Sequence, residues 1–367
     1  MIFDFTYFIV VGGTSILGLV SGALGSFAVL RKQSLLGDAI AHAALPGITL
    51  AFLLTLDKSP VILLLGAIIS GWVATFLMSL VSEYTSLKKD AILGIILSVF
   101  FGFGVVLLTF IQRLPSSSKS GLDKYLFGNA SSLLKEDIVV MSLLGLFVLI
   151  LTLVFWKEFK LISFDRDYAS SLGFSAKKLD ILLTNIIVMA IVIGLQTVGV
   201  VLMSAMVIAP AVAARQWTDK LGVMVVVSAI FGAFSGVLGA SLSSSITKLP
   251  TGPTIVVVIS TIVVVSLLIA PNRGLIWAGV RQYLNRARIQ KEMLLNNMLL
   301  FTESDEEPTY AHDISALHAV GRGSVQRILT ELKKEGLLYN PEGNKWGLTD
   351  LGVEKARTIQ QNLGDRL

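Results

Sequence analysis

The chain has 367 residues, 54% apolar and only 15% charged, whereas about a quarter of a soluble domain is charged; this excludes an ordinary soluble enzyme and puts most of the chain in lipid. Residues 1–274 hold 18 Lys/Arg against 13 Asp/Glu, while residues 275–367 hold 12 of each, so the whole net charge of +5 belongs to the apolar part. The absence of cysteine excludes a disulfide framework and a thiolate metal site, leaving imidazole, carboxylate and other oxygen ligands for a transition metal.

The N-terminus opens Met1-Ile2-Phe3-Asp4-Phe5 with no basic residue, unlike a cleavable signal peptide, so the first apolar run is expected to be retained. Runs long enough to cross a bilayer follow at roughly 7–30, 39–56, 61–82, 91–112, 137–156, 180–198, 199–214, 221–243 and 254–271. They predict an all-α polytopic membrane protein with eight or nine transmembrane helices. The ambiguity lies at 180–214, where Gly194, Gly199 and Pro210 interrupt an almost unbroken apolar stretch. With the N-terminus outside, twelve basic residues, among them Arg31, Lys89, Arg166, Arg215 and Arg273, fall in cytoplasmic loops and six fall outside. That bias predicts a cytoplasmic C-terminal tail. Eight spans would move only the N-terminus.

No GxxxxGK[ST] phosphate loop occurs in the chain, so ATP, if it is used, is hydrolysed by a partner. The second run begins Gly37-Asp38-Ala39-Ile40-Ala41-His42-Ala43-Ala44-Leu45-Pro46-Gly47. Four residues apart, Asp38 and His42 stack on one helix face. His42 is the only histidine before residue 275, and an ionisable side chain in lipid costs at least about 2.5–3.5 kcal/mol. The pair is therefore expected to face a cavity or a partner, as a metal or proton pathway or as a structural ion pair. One carboxylate and one imidazole suit Mn²⁺, Fe²⁺ or Zn²⁺ alike. Two ligands make a weak site, as transport requires, and a second protomer can add two more. Pro46 and Gly47 lie where they can kink the helix and free backbone carbonyls toward an ion. Ser34, Asn185, Gln196 and Ser204 are lesser candidates for assisting the ion, and Gly18, Gly22 and Gly25 allow close helix approach.

The run Arg31-Lys32-Gln33-Ser34-Leu35-Leu36-Gly37-Asp38 through His42-Ala43-Ala44-Leu45-Pro46-Gly47 resembles the signature of the zinc/manganese permease family of ABC importers. Asp90–Ile95, Tyr125–Gly128, Val198–Ala205 and Leu249–Thr254 agree with it, and the resemblance covers about residues 5–273. It implies that Asp38 and His42 coordinate a transported Mn²⁺ or Zn²⁺, with no permanently bound cofactor. It also implies an ABC ATPase subunit, an extracellular metal-binding protein and a second permease chain, identical or homologous, as partners in the plasma membrane. Phe164–Lys178 reads as a short polar helix, a glycine that ends it and a basic exit. This loop resembles the family's coupling helix, which implies ATPase-coupling positions at Asp165, Ala169 and Gly173. The Ser116–Ser120 cluster marks an external loop on which the metal-binding protein can land.

The chain thus divides into a permease domain (1–274), a helical connector with an acidic linker (275–308) and a small cytoplasmic α+β domain (309–367). Residues 276–301 read as a helix, and Ala311–His318 and Ser324–Lys334 as two more around Val320-Gly321-Arg322-Gly323. Gly336–Thr349 reads as a hairpin and Thr349–Leu363 as a closing helix capped by Thr349. This order resembles the winged helix-turn-helix of metal-dependent repressors. The candidate recognition helix carries Arg322, Gln326, Arg327, Lys333 and Lys334, but also Glu331 and Glu335. Zero net charge over the tail makes DNA an unfavoured partner and a regulatory protein contact the favoured one. Metal sensing through His312, Asp313 and His318, or a membrane-tethered DNA-binding regulator, are the alternatives.

Overall fold

A computed structural model describes residues 5–57, 59–113, 135–246, 249–302, 309–313, 325–341, 343 and 345–364. The chain forms two compact units, Met1–Leu275 and Ile276–Leu367. In the first unit the helices are α1 (Phe5–Leu30), α2 (Leu36–Thr55), α3 (Pro60–Tyr84), α4 (Lys89–Arg113), α5 (Lys135–Val154), α6 (Trp156–Phe164) and α7 (Arg166–Ser171). They continue with α8 (Ala176–Val198), α9 (Val200–Trp217), α10 (Leu221–Ser245) and α11 (Thr251–Ile269).

Eight of the described helices, α1–α5, α8, α10 and α11, are long and apolar enough to cross a membrane. In lipid only such fully hydrogen-bonded helices satisfy their own backbone. Helix α2 is the most enclosed, with 72% of its window buried, against 17% for α11. The outward faces present Val99, Phe103, Leu143, Phe147, Val226 and Val257, which belong against acyl chains. The ambiguous stretch at 180–214 forms two helices, broken at Gly199, whose φ of 85° suits glycine. Helix α9 then runs back beside α8: its last turns, at Ala211 and Ala214, pack with Leu30 at the end of α1 and with Met224 in α10. Trp217 donates to Ser266 Oγ at 3.0 Å and Arg273 to Asp219 at 2.7 Å. The ends of α1, α9 and α11 and the start of α10 therefore share one end of the bundle.

Small residues set the tightest contact. A Cβ at Gly18 would overlap the Gly232 carbonyl, and one at Gly22 the Ser228 carbonyl. Helices α1 and α10 accordingly meet backbone to backbone, and Ser228 Oγ donates to the Gly22 carbonyl at 2.6 Å.

The second unit holds α12 (Leu275–Thr302, all but its first residue), β1 (His312–Asp313), α13 (Val325–Lys334), β2 (Leu338–Tyr339), β3 (Lys345–Leu348) and α14 (Asp350–Gly364). Its antiparallel sheet has the order β1-β3-β2, pairing His312 with Trp346 and Leu338 with Leu348. Leu294, Leu295, Met298 and Leu299 of α12 join Val325, Leu329, Leu332 and Leu348 in one core. Thr349 Oγ1 accepts from the Gly352 N–H at 3.1 Å, the expected cap. The helix expected over Ala311–His318 needs correction. Its start is strand, because β3 offers His312 and Asp313 a ladder partner, and residues 314–324, including His318 and Arg322, lie outside the described residues.

Candidate metal centre

Asp38 stands in the first turn of α2, where the unpaired N–H groups of the helix favour an anion by about 0.3–1 kcal/mol. One turn later, His42 Nε2 lies 3.4 Å from Asp38 Oδ1. The helix spacing does bring the two side chains together. The imidazole is 17% exposed and the carboxylate 37%, so both are accessible at the edge of a buried helix. His42 is braced edge-on by Phe101 of α4, with ring centroids 4.6 Å apart. Its Nδ1 is buried and has no hydrogen-bond partner among the described residues. The nitrogen that faces the carboxylate is therefore Nε2. Among the described residues no cluster of three His, Asp or Glu forms, so no further such side chain joins the pair.

One backbone carbonyl of α2 lacks its usual helix donor. Helix α2 runs unbroken through Pro46, so the helix does not unwind. Proline has no N–H for the carbonyl four residues before it, and that carbonyl is His42's own. The Pro46 ring is held where α2 meets its neighbours: a Cβ at Gly104 would lie 3.0 Å from Pro46 Cδ, and Gly47 and Gly66 leave no room for side chains between α2 and α3. Ser70 Oγ donates to the Ala43 carbonyl at 2.6 Å. Of the lesser candidates, Ser34 is exposed, Ser204 lies against Gly37 and Asn185 has a buried Oδ1 without a partner among the described residues. The Gln196 side chain is outside the described residues, as are Ser116–Ser120 and Tyr125–Gly128.

At the end of the bundle where α1 finishes, Phe27 packs edge-on against Trp156 and Phe159 at 5.8 and 6.3 Å. This anchors α6, and α7 follows. Asp165 caps α7 by accepting from the Tyr168 N–H at 2.8 Å. Gly173, at φ 86°, ends it: the Phe174 N–H donates to Ala169 and the Gly173 N–H to Ser170, a two-bond glycine stop. Asp165 and Gly173 therefore shape the segment. Ala169 is fully buried, whereas Tyr168 and Leu172 are 54% and 53% exposed.

Sequence reasoning missed a third cluster, beside this segment. Arg31, just past α1, donates to the Asp180 carboxylate of α8, and Arg166 of α7 reaches the same carboxylate at 3.6 Å. The Arg31 side chain is 5% exposed; burial lowers its pKa, the Asp180 charge opposes that shift and the Arg166 charge adds to it. The available signal was Asp180 itself, an ionisable residue at the head of an apolar run.

Eight described helices long and apolar enough to cross a membrane, with an Asp–His pair at the edge of one of them and no phosphate loop in the sequence, fit the class of membrane permeases. The particular family follows from comparison: residues 4–270 match the ABC 3 transport family, and the chain belongs to it. The manganese transport system membrane protein MntC of Bacillus subtilis (strain 168) is 42% identical over 349 residues, 94% of this chain and 80% of its own length. That similarity is longer than the first unit and so extends into the second. The zinc transport system membrane protein TroC of Treponema pallidum (strain Nichols) is 49% identical over 274 residues, 75% of this chain and 92% of its own. A solved structure, PsaBC from Streptococcus pneumoniae in complex with Fab, is similar with a TM-score of 0.65 and 31% identity, covering 74% of this chain and 94% of that one. The chain is the membrane-spanning permease of an ABC importer for Mn²⁺, Zn²⁺ or Fe²⁺, and is not itself an ATPase.

Proposed function

We propose that Asp38 and His42 coordinate the metal as it passes, with Mn²⁺ as the favoured cargo. The observation that carries this reading is the approach of His42 Nε2 to 3.4 Å from Asp38 Oδ1, with both side chains partly exposed. A mixed oxygen and nitrogen set without thiolate suits Mn²⁺, Fe²⁺ and Zn²⁺. Manganese is favoured because the relative whose similarity spans both units is named for it. Two ligands and one freed carbonyl hold an ion loosely, which suits release. A second permease chain, identical or homologous, doubles the set.

The end carrying Arg31, Lys89, Arg166, Arg215 and Arg273 is the cytoplasmic one, by the excess of basic residues there, and the protein resides in the plasma membrane. Helix α7, between Asp165 and Gly173, docks on the ATPase. Since Ala169 is buried, contact runs through Tyr168 and Leu172. The extracellular metal-binding protein meets the opposite end.

The second unit is cytoplasmic and regulatory. Helix α13, the β2–β3 hairpin and α14 support a winged-helix likeness, and the neutral charge of this region speaks for protein contact over DNA. Uptake of radiolabelled Mn²⁺ and Zn²⁺ in competition, by cells carrying the chain with its ATPase, tests these assignments. Asp38→Ala and His42→Ala are each expected to abolish ATP-dependent uptake, and truncation after residue 286 to change its regulation only. Uptake persisting in both point variants removes the ion site.

A further inference from the structure

We infer that Asp180 is a positioning residue that ties the docking segment to the helix bearing the metal ligands, by holding Arg31 on one side and Arg166 on the other. The inference rests on the proposal that α7 docks on the ATPase, and goes beyond it by naming how movement there reaches α2.

Arg166 is the first residue of α7, and Asp180 lies in the first turns of α8. Arg31 opens the five-residue turn that leads into α2, and Asp38 follows it by seven residues. The turn is tightly built. Lys32 takes the left-handed conformation at φ 56°, the Gln33 N–H donates to Ala28 at 3.0 Å and the Leu36 N–H to Gln33 at 3.1 Å. A displacement of Arg31 is therefore carried into the first turn of α2.

The two arms of the junction differ in strength. The Arg31 guanidinium is nearly enclosed, with Nη1 unpartnered among the described residues, and losing its carboxylate would strand a buried charge. That arm stays shut. Arg166, 48% exposed and 3.6 Å from Asp180, is the arm free to tighten or part. A cavity of about 280 Å³ opens beside it, lined by Gln33, Lys89, Arg166, Lys177 and Asp180, which gives these side chains room to move. Lys177 is bound to Glu83 at 2.6 Å, whereas Lys89 has no ion pair among the described residues and stands near enough to compete for Asp180.

The test uses the full permease reconstituted with its ATPase in proteoliposomes, reading ⁵⁴Mn uptake and ATP hydrolysis together. Asp180→Asn is expected to lower metal moved per ATP hydrolysed by about tenfold, within the usual range for coupling between two sites, while the ATPase co-purifies as before. Asp180→Glu is expected to restore most of the ratio, which a purely structural role would not require. Should Asp180→Asn fail to fold, Arg166→Gln, at an exposed side chain, is expected to lower the ratio in the same direction. An unchanged ratio in assembled Asp180→Asn or Arg166→Gln complexes overturns the inference. Asp167→Cys, at an exposed position of α7, cross-linked to the ATPase, separates the two proposals. A cross-link with unchanged ratios sinks only the Asp180 assignment; no cross-link sinks the docking reading and this inference with it.

Discussion

Replacing Pro46 by Ala separates what α2 needs for stability from what it needs for transport. An interior proline costs a helix about 3 kcal/mol relative to alanine, and the N–H that the substituted alanine brings would donate to the His42 carbonyl. Against that, the pyrrolidine ring is buried against Gly104, and losing roughly two methylenes at ~0.8 kcal/mol each costs about 1.6 kcal/mol. The balance is a stabilisation of about 1–1.5 kcal/mol, or a rise in Tm of roughly 2–4 °C for a domain of this size. Transport should move the other way. A contact between a neutral oxygen and a full charge is worth about 1.5–3 kcal/mol, so withdrawing the carbonyl should weaken uptake at limiting metal about tenfold or more. Thermal unfolding in detergent and initial rates of ⁵⁴Mn uptake report the two effects separately. A higher Tm with wild-type uptake would refute the carbonyl's part in the pathway, and a lower Tm would refute the packing argument.

Other outcomes are as specific. Gly22→Leu should destabilise the bundle by about 3 kcal/mol, since its Cβ would overlap the Ser228 carbonyl, whereas Gly12→Ala, on the same helix with open space around it, should raise Tm slightly, by the ~0.5–1 kcal/mol of helix propensity. Tyr168→Ala and Leu172→Ala should each reduce ATPase co-purification roughly tenfold, within the 1–2 kcal/mol expected of a contact residue, without lowering Tm. In the second unit Lys291 lies 3.1 Å from Glu331 and 2.8 Å from Glu335. Hydrogen bonds from Lys291 and Arg327 hold the Glu331 carboxyl below its ordinary value, and those to Glu335 and Glu331 hold the Lys291 ammonium above its own. The carboxylate's contribution is full above the ordinary glutamate range and is lost as pH falls through the lowered value. The ammonium's is full below the ordinary lysine range and is lost as pH rises through the raised one. The protection of α13 amides in the full chain, corrected for intrinsic exchange, should therefore fall beyond that window on both sides, and Lys291→Met should remove the loss at high pH and weaken the one at low pH, where Arg327 still pairs with Glu331. A flat profile in the wild type would refute the pairing.

Much of the first unit could be read from the chain because lipid imposes a local rule. A segment without water must satisfy its own backbone, so long apolar runs become helices whatever surrounds them. Asp38 and His42 were legible for the same reason, since ionisable groups are rare in such runs and four residues make one turn. In the second unit, the cap at Thr349 and the hairpin after Gly336 follow from turn and capping chemistry written in a few adjacent residues. His312 and Asp313 were not legible, because whether two residues become strand depends on a partner more than thirty positions away.

The sequence by itself determined the helices, the nearness of Asp38 and His42 and the basic bias of one end. Tertiary structure alone decided that Phe101 braces His42 while its Nδ1 stays unpartnered among the described residues, that α9 returns beside α8, and that Arg31 meets Asp180 across 149 positions. Each of these depends on which faces of distant helices meet. Spacing along one helix sets only which residues share a face, and packing chooses what that face touches.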